Sequence, residues 1–265
     1  MPGRRKKKIK YKGILLLICL FLVLIYVFLF SPLFKIRAIE VLENKEVEAG
    51  EIENKFNYGN IILATKENIK NDLIKKIPKI ADIEVSKNFI KRSISLLIKE
   101  RERMGIICQI SSSADSASEV SSAKGAATED KGEIKDCFYI DKQGFIFEDA
   151  PQTSGSLILL IKDYSQRDFY LGKEVFEEKI MEFISKIKEN LFLETGVRVL
   201  DFNILSYPAK ELKVMTGEGW YILFDLEREA ESQILALKAA LQEKIPNRQG
   251  LEYVDLKIEN RIYYK

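Results

Sequence analysis

From Ile14 to Phe30 the chain is apolar at every step: no charged side chain interrupts it, and only Cys19 and Tyr26 bring a polar atom. With Ser31-Pro32-Leu33-Phe34 as a tolerant flank the run reaches about 20 residues, enough for an α-helix rising ~1.5 Å per residue to cross a ~30 Å hydrocarbon layer. A soluble helix of that length normally keeps a polar face, and this one has none. The pattern predicts a transmembrane helix over 13–33. Arg4, Arg5, Lys6, Lys7, Lys8, Lys10 and Lys12 precede it without one acidic residue. Residues 1–12 therefore read as a basic cytoplasmic tail, and everything beyond the helix as extracytoplasmic. A cleaved signal peptide is the rival. Its apolar core is ~7–15 residues long and closes on small residues of the A-x-A kind, which Ser31-Pro32-Leu33-Phe34-Lys35 does not offer. An uncleaved single-pass anchor in the plasma membrane is expected.

After the anchor the period switches between two and 3.6. Ile39 and Val41 flank Glu40 as in a short half-buried strand. Ala49, Ile52 and Phe56 fall at helical spacing until Tyr58-Gly59-Asn60 breaks it. Thr65 is placed to cap a second helix whose Ile69, Leu73 and Ile77 form one stripe, stopped by Pro78. Ile83 and Val85 alternate with polar neighbours, Lys87-Asn88-Phe89 turns, and Ile94, Leu96 and Ile98 alternate on the way back, which predicts a hairpin. The order is strand, helix, helix, strand, strand, closing near Arg103.

Residues 111–135 are Ser, Ala, Gly and charge with no aromatic side chain, too little apolar area to offset the entropy of ordering, so a disordered insertion is expected. It joins a strand at Met104–Ile110 to one at Cys137–Ile140, which brings Cys108 and Cys137 near each other at its base. Outside the reducing cytoplasm they are either a cross-strand disulfide, adding about 3–4 kcal/mol, or two buried free thiols. A turn at Asp141-Lys142-Gln143-Gly144 leads into a strand at Phe145–Phe147. Leu157–Ile161 reads as a buried strand, and Phe176, Ile180, Phe183, Ile187 and Leu191 as the stripe of a long amphipathic helix. Strands are expected around Phe202–Ile204, Leu212–Val214 and Trp220–Phe224. A last helix, capped by Asp225 and ended by Pro246, turns Ile234, Leu237 and Leu241 inward.

At the tail Val254, Leu256 and Ile258 alternate with Tyr253, Asp255 and Lys257. A turn around Glu259-Asn260 precedes Arg261-Ile262-Tyr263-Tyr264-Lys265. A final strand with no successor is expected at a sheet edge, where unpaired N–H and C=O groups form either a docking rail or a solvated border guarded by Lys and Arg.

Composition narrows the chemistry. The chain carries a formal +2, yet the tail holds seven of its 42 basic residues and none of its 40 acidic ones, leaving 35 against 40 outside. That balance gives the outer part no attraction for nucleic acid. Histidine is absent, which removes the usual base near neutral pH and the commonest metal ligand. Two cysteines outside the apolar run are too few for a thiolate metal cage. Gly217 and Gly219 make a lone G-x-G with no third glycine opening a helix. No catalytic, cofactor-binding or metal site is predicted, and the chain is expected not to be an enzyme.

The βααββ order resembles the polypeptide-transport-associated (POTRA) module. Ile39-Glu40-Val41-Leu42-Glu43-Asn44 looks like its opening strand and turn. Ile77 to Val85 looks like its helix end and second strand, and Ile98-Lys99-Glu100-Arg101 like its close. Tyr139 to Phe147 and Tyr253-Val254-Asp255-Leu256-Lys257 are similar to later segments of the FtsQ/DivIB family of bacterial division proteins, with Lys257 where arginine is usual. Ile90 and Arg103 stand where members often carry proline. The resemblance implies an α+β chain: a POTRA domain at 34–103, then a C-terminal mixed β domain at 104–265. It also implies a non-enzymatic scaffold of the divisome at the septum, linked to septal peptidoglycan synthesis. FtsB/DivIC and FtsL would bind at the final strand, and other divisome components at the POTRA domain. The partner-binding residues would be Tyr253, Lys257, Asn260, Arg261, Ile262, Tyr263 and Tyr264, with Lys257 and Arg261 favouring an acidic segment. The alternatives are a docking module for protein translocation and a membrane-anchored cell-wall enzyme.

Overall fold

In the computed structural model of the chain residues 11–111, 132–155 and 157–265 are described, apart from the side chains of 11, 12 and 28–30. The basic tail over 1–10 and residues 112–131 of the expected insertion lie outside them. Among the described residues the fold is mixed α+β, with five α-helices, a small three-stranded sheet and a large mixed sheet. The chain divides after Glu100 into two compact units.

Helix α1 spans Tyr11–Phe30. Its described side chains, from Gly13 to Val27, are all exposed. Among the described residues no helix is long and apolar enough to cross a membrane, so the expected transmembrane helix over 13–33 is not supported there; the backbone of α1 covers 20 residues. The helix ends before the expected 33. Ser31 is extended, its hydroxyl accepts from Leu33 N at 3.2 Å, and Pro32 opens a 3-10 turn at Pro32–Phe34. Proline disfavours helical geometry in the residue before it.

The rest of the first unit runs β1 (Ala38–Leu42), α2 (Ala49–Lys55), α3 (Lys66–Lys76), β2 (Ile80–Asn88) and β3 (Ser93–Glu100). β3 is central, parallel to β1 and antiparallel to β2. Ile52, Ile69, Leu73 and Ile77 bury against Ile83, Val85, Ile94, Leu96 and Ile98, each side chain contributing about 1.5–3 kcal/mol of transfer free energy. Thr65 Oγ1 accepts from Asn68 N at 3.1 Å, capping α3. The hairpin turns later than Lys87-Asn88-Phe89: both Lys87 and Asn88 remain in β2. Asn88 Oδ1 accepts from Ile90 N at 3.1 Å and from Lys91 N at 2.9 Å, and Arg92 takes φ 57°. The asparagine side chain builds the turn beyond itself.

Glu100 ties the end of β3 to the segment before α2. Its Oε1 accepts from Lys45 N at 2.7 Å, and from Glu46 N and Val47 N at 3.0 Å. Burial pushes its pKa up, but the three backbone N–H groups outweigh that and hold it below the ordinary value. A depressed folded pKa stabilises above the unfolded value and is lost as pH falls through the folded one. Glu100→Gln is therefore expected to speed amide exchange at 45–47 about fivefold at neutral pH, the factor for ~1 kcal/mol. The variant-to-parent ratio should approach one in acid, where Glu100 is itself protonated. A ratio independent of pH would show that charge has no part in the clasp.

The second unit contains β4 (Gly105–Ser111), β5 (Glu133–Ile140), β6 (Ile146–Asp149), β7 (Leu159–Asp163), α4 (Glu178–Thr195), β8 (Val199–Ile204), β9 (Glu211–Thr216), β10 (Tyr221–Asp225), α5 (Ala230–Glu243), β11 (Tyr253–Asp255) and β12 (Tyr263–Tyr264). They form one sheet in the order β12-β11-β10-β9-β8-β7-β4-β5-β6. α4 crosses between parallel β7 and β8, and α5 between parallel β10 and β11. β8 and β10, each antiparallel to β9, run the same way, so both crossovers take the same step across the sheet. Right-handed crossovers then put both helices on one face. Met181, Ile184, Ile187 and Leu191 of α4 and Ile234, Leu237 and Leu241 of α5 share one core with Phe202, Val214, Trp220, Ile222 and Val254.

Several boundaries differ from expectation. Arg101 and Arg103, expected in the first domain, belong to the second unit: Arg101 Nη1 meets Asp141 Oδ2 at 2.5 Å and its guanidinium lies 3.8 Å over the Phe145 ring, while Arg103 Nη2 meets Glu148 at 2.6 Å. Glu133, Ile134 and Lys135 extend β5 rather than the insertion. Leu157 is 98% exposed and Ile158 is also exposed, so β7 starts at Leu159. Phe176 is buried ahead of α4, whose inner stripe runs through Met181 and Ile184. Asp225 ends β10 and accepts from Glu227 N at 2.8 Å instead of capping α5. Cys108 and Cys137 stand opposite each other in β4 and β5 and are joined as a disulfide.

Candidate functional site

The chain bends out of β11 through a turn in which Arg261 N donates to Ile258 O at 3.2 Å and Asn260 takes φ 61°. Asparagine tolerates this left-handed geometry better than most side chains. β12 then returns antiparallel, with Val254 opposite Tyr264 and Asp255 opposite Tyr263. Lys265 fastens the end: its N–H donates to Tyr253 O at 3.3 Å, and its carbonyl accepts from Glu252 N at 2.6 Å and Tyr253 N at 3.4 Å. In an antiparallel pair, main-chain groups face the neighbour at alternate residues. Lys265 and Tyr263 turn theirs toward β11, so the N–H and C=O of Ile262 and Tyr264 point outward. Among the described residues, β12 is the last strand of the sheet on that side.

The side chains follow from the same register. Tyr263 shares a face with Asp255, and Tyr264 shares the helix-covered face with buried Val254 at its rim; they are 46% and 50% exposed. Ile262 packs against the margin of the core. One strand inward, Tyr253 stacks on Tyr221 with ring centroids 5.6 Å apart and planes 19° from parallel. Lys213 Nζ lies 4.5 Å over the Tyr221 ring, a cation–π contact that draws the ammonium to the negative ring face. Tyr221, Tyr253 and Tyr263 thus lie on the face of the sheet opposite α4 and α5.

Lys257, expected to meet an acidic partner, is committed within the chain. Its Nζ is 2.7 Å from Glu211 and 3.9 Å from Asp255. The Glu211 hydrogen bond holds its pKa above the ordinary value, burial opposing and Asp255 reinforcing. The sheet places Glu211 on β9, two strands away from Lys257, which the local sequence pattern does not reveal. Arg261 is exposed and, among the described residues, makes no ion pair. The structure therefore gathers Tyr253, Ile262, Tyr263 and Tyr264 at the edge, places Asn260 and Arg261 in the turn leading to it, and withdraws Lys257. Two participants were not anticipated: Tyr221 and Lys265. Alternation in Trp220–Phe224 assigns Tyr221 to the outer face, but its neighbour depends on the α5 crossover.

Among the described residues, no three His, Cys, Asp or Glu side chains gather to hold a metal. No family model matches this chain, and no curated protein matches it either.

Proposed function

We propose that this chain is a membrane-anchored, non-enzymatic scaffold that captures an extended partner segment as an added strand along β12. The observation that carries this reading is the outward main chain of Ile262 and Tyr264 on β12, which among the described residues is the last of nine strands in the sheet. An added strand would form up to four hydrogen bonds there, each worth about 1 kcal/mol net. Tyr263, Tyr264 and exposed Arg261 supply side-chain contact, aromatic rings giving large area at small entropic cost. In this reading α1 is the N-in anchor, and the βααββ unit that follows is a POTRA domain receiving other divisome components. The order β1-β3-β2, with two helices packed on it, supports that part. The resemblance in sequence points to FtsB/DivIC and FtsL as the partners at the division septum.

The test compares the intact chain, a truncation after Asn260, Tyr264→Pro and Tyr264→Ala. Proline removes one outward donor and leaves the bonds from Tyr263 and Lys265 to β11 in place. The truncation is expected to weaken capture of FtsB/DivIC about a hundredfold, ~2.7 kcal/mol, and to abolish its recruitment to midcell. Tyr264→Pro should weaken capture more than Tyr264→Ala. Trp220 emission should be unchanged in all of them. Undiminished capture by the truncation would rule the edge mechanism out.

A further inference from the structure

The tip of the β2–β3 hairpin is the most exposed apolar feature of the first unit outside α1: Phe89 is 60% and Ile90 96% exposed. It is not a loose loop, because the Asn88 carboxamide oxygen accepts from Ile90 N and Lys91 N. It is also tied to the residues that leave α1. Arg92 Nη1 donates to Pro32 O at 3.3 Å, and Arg37 N donates to Arg92 O at 2.9 Å. Phe34 O accepts from Ile61 N at 2.9 Å, and Lys35 bridges to Asn60. Ile90 lies two residues from Arg92, and at ~3.3 Å per residue it cannot be more than about 7 Å from it along the chain. Wherever Pro32 and Leu33 sit, the tip sits beside them.

The charges around it have one sign. From Lys87 through Ser93 there is no acidic residue, and Lys91 and Arg92 follow the apolar pair directly. Lys35 and Arg37 stand on the adjoining segment, and Leu33 is exposed beside them. Among the described residues Lys35, Lys91 and Arg92 are in no ion pair. Exposed apolar side chains ringed by unpaired cations match the boundary of an anionic bilayer, where rings and aliphatic groups enter the acyl margin and ammonium groups reach the headgroups.

We infer that the β2–β3 hairpin tip is a second membrane contact, with Phe89 and Ile90 inserted at the headgroup–acyl boundary and Lys35, Lys91 and Arg92 held against anionic lipid. This rests on the reading of α1 as the anchor. Attached at two points, the first unit would be held at a fixed attitude to the bilayer instead of pivoting on Ser31.

The test uses the full chain in vesicles of phosphatidylcholine with phosphatidylglycerol, in a Cys19→Ser background. An environment-sensitive fluorophore is placed at Ile90→Cys, at Leu22→Cys within α1, or at Lys45→Cys beside Glu100 at the far end of the small sheet. Quenching is measured with lipids brominated at shallow or deep positions. The inference expects deep quenching for Leu22→Cys, and shallow quenching for Ile90→Cys about threefold above Lys45→Cys. Lys35→Glu with Lys91→Glu, or omission of phosphatidylglycerol, should remove most of the Ile90→Cys signal. Deep quenching of Leu22→Cys with Ile90→Cys no higher than Lys45→Cys would overturn the tip contact and leave the anchor standing. Quenching of neither would overturn the anchor and this inference with it. An Ile90→Cys signal indifferent to phosphatidylglycerol and to both charge reversals would overturn the anionic-lipid assignment.

Discussion

Replacing Asp163 by alanine is expected to destabilise the second unit by about 3–5 kcal/mol, the cost of leaving one member of a buried ion pair without its partner. Asp163 is fully buried at the end of β7. Its carboxylate accepts from Ser165 N at 2.7 Å and Ser165 Oγ at 2.5 Å, and pairs with Arg167 Nη2. Arg167 in turn donates from Nε to Ser165 Oγ at 2.9 Å and from Nη1 to Val175 O at 2.8 Å, with its guanidinium 3.9 Å over the Tyr207 ring. With the carboxylate gone, that cation stays enclosed by aromatic rings and opposite no charge. Trp220 is the only tryptophan and is buried in the same unit, so its fluorescence reports this unfolding alone. The midpoint should fall by roughly 10 °C. Asp163→Asn, which keeps the size and an acceptor for Ser165, should lose less. Asp163→Ala combined with Arg167→Met should recover part of the loss, because the stranded charge is gone. A fall below about 1 kcal/mol for the single variant would mean that solvent reaches the guanidinium.

The second large effect is expected from the disulfide. Cys108 and Cys137 are 29 residues apart, and closing a loop of that length removes unfolded-state entropy worth about 3–4 kcal/mol. Both sulfurs lie in a small satellite core with Ile106, Ile110 and Leu160. Alanine at both positions is the appropriate replacement, since serine would bury two hydroxyls and add a separate cost. The Trp220 denaturation midpoint should drop in the double alanine variant. Reductant should move the parent to nearly the same midpoint and leave the variant where it is. A parent whose midpoint stays put although alkylation shows Cys108 and Cys137 both reduced would instead indicate a bond that contributes nothing to equilibrium stability.

Much of the local structure was readable because its causes lie within a few residues. Thr65 caps α3 through Asn68, three positions on, and the alternation through Ile94, Leu96 and Ile98 describes β3 directly. Misplaced boundaries fell where a local signal had two meanings. Leu157 and Ile158 are as apolar as the strand they precede, and Phe176 fits the α4 spacing from a position before the helix starts. Asp225 is as good a turn former as a helix cap, and here it forms the turn.

The kinds of element and their order follow from local pattern: an uninterrupted apolar helix, a βααββ unit, and an alternating segment ahead of the short strand β12. Which residues meet across the second unit was decided by the tertiary structure. Two crossovers of the same hand cover one face with α4 and α5, leaving Tyr221 and Tyr253 to stack on the other. The same sheet ties Lys257 to Glu211 and turns Ile262 and Tyr264 outward. Periodicity records which side of its own strand a residue occupies, but the neighbour across the gap is chosen by chain closure over tens of residues, and no local pattern carries that information.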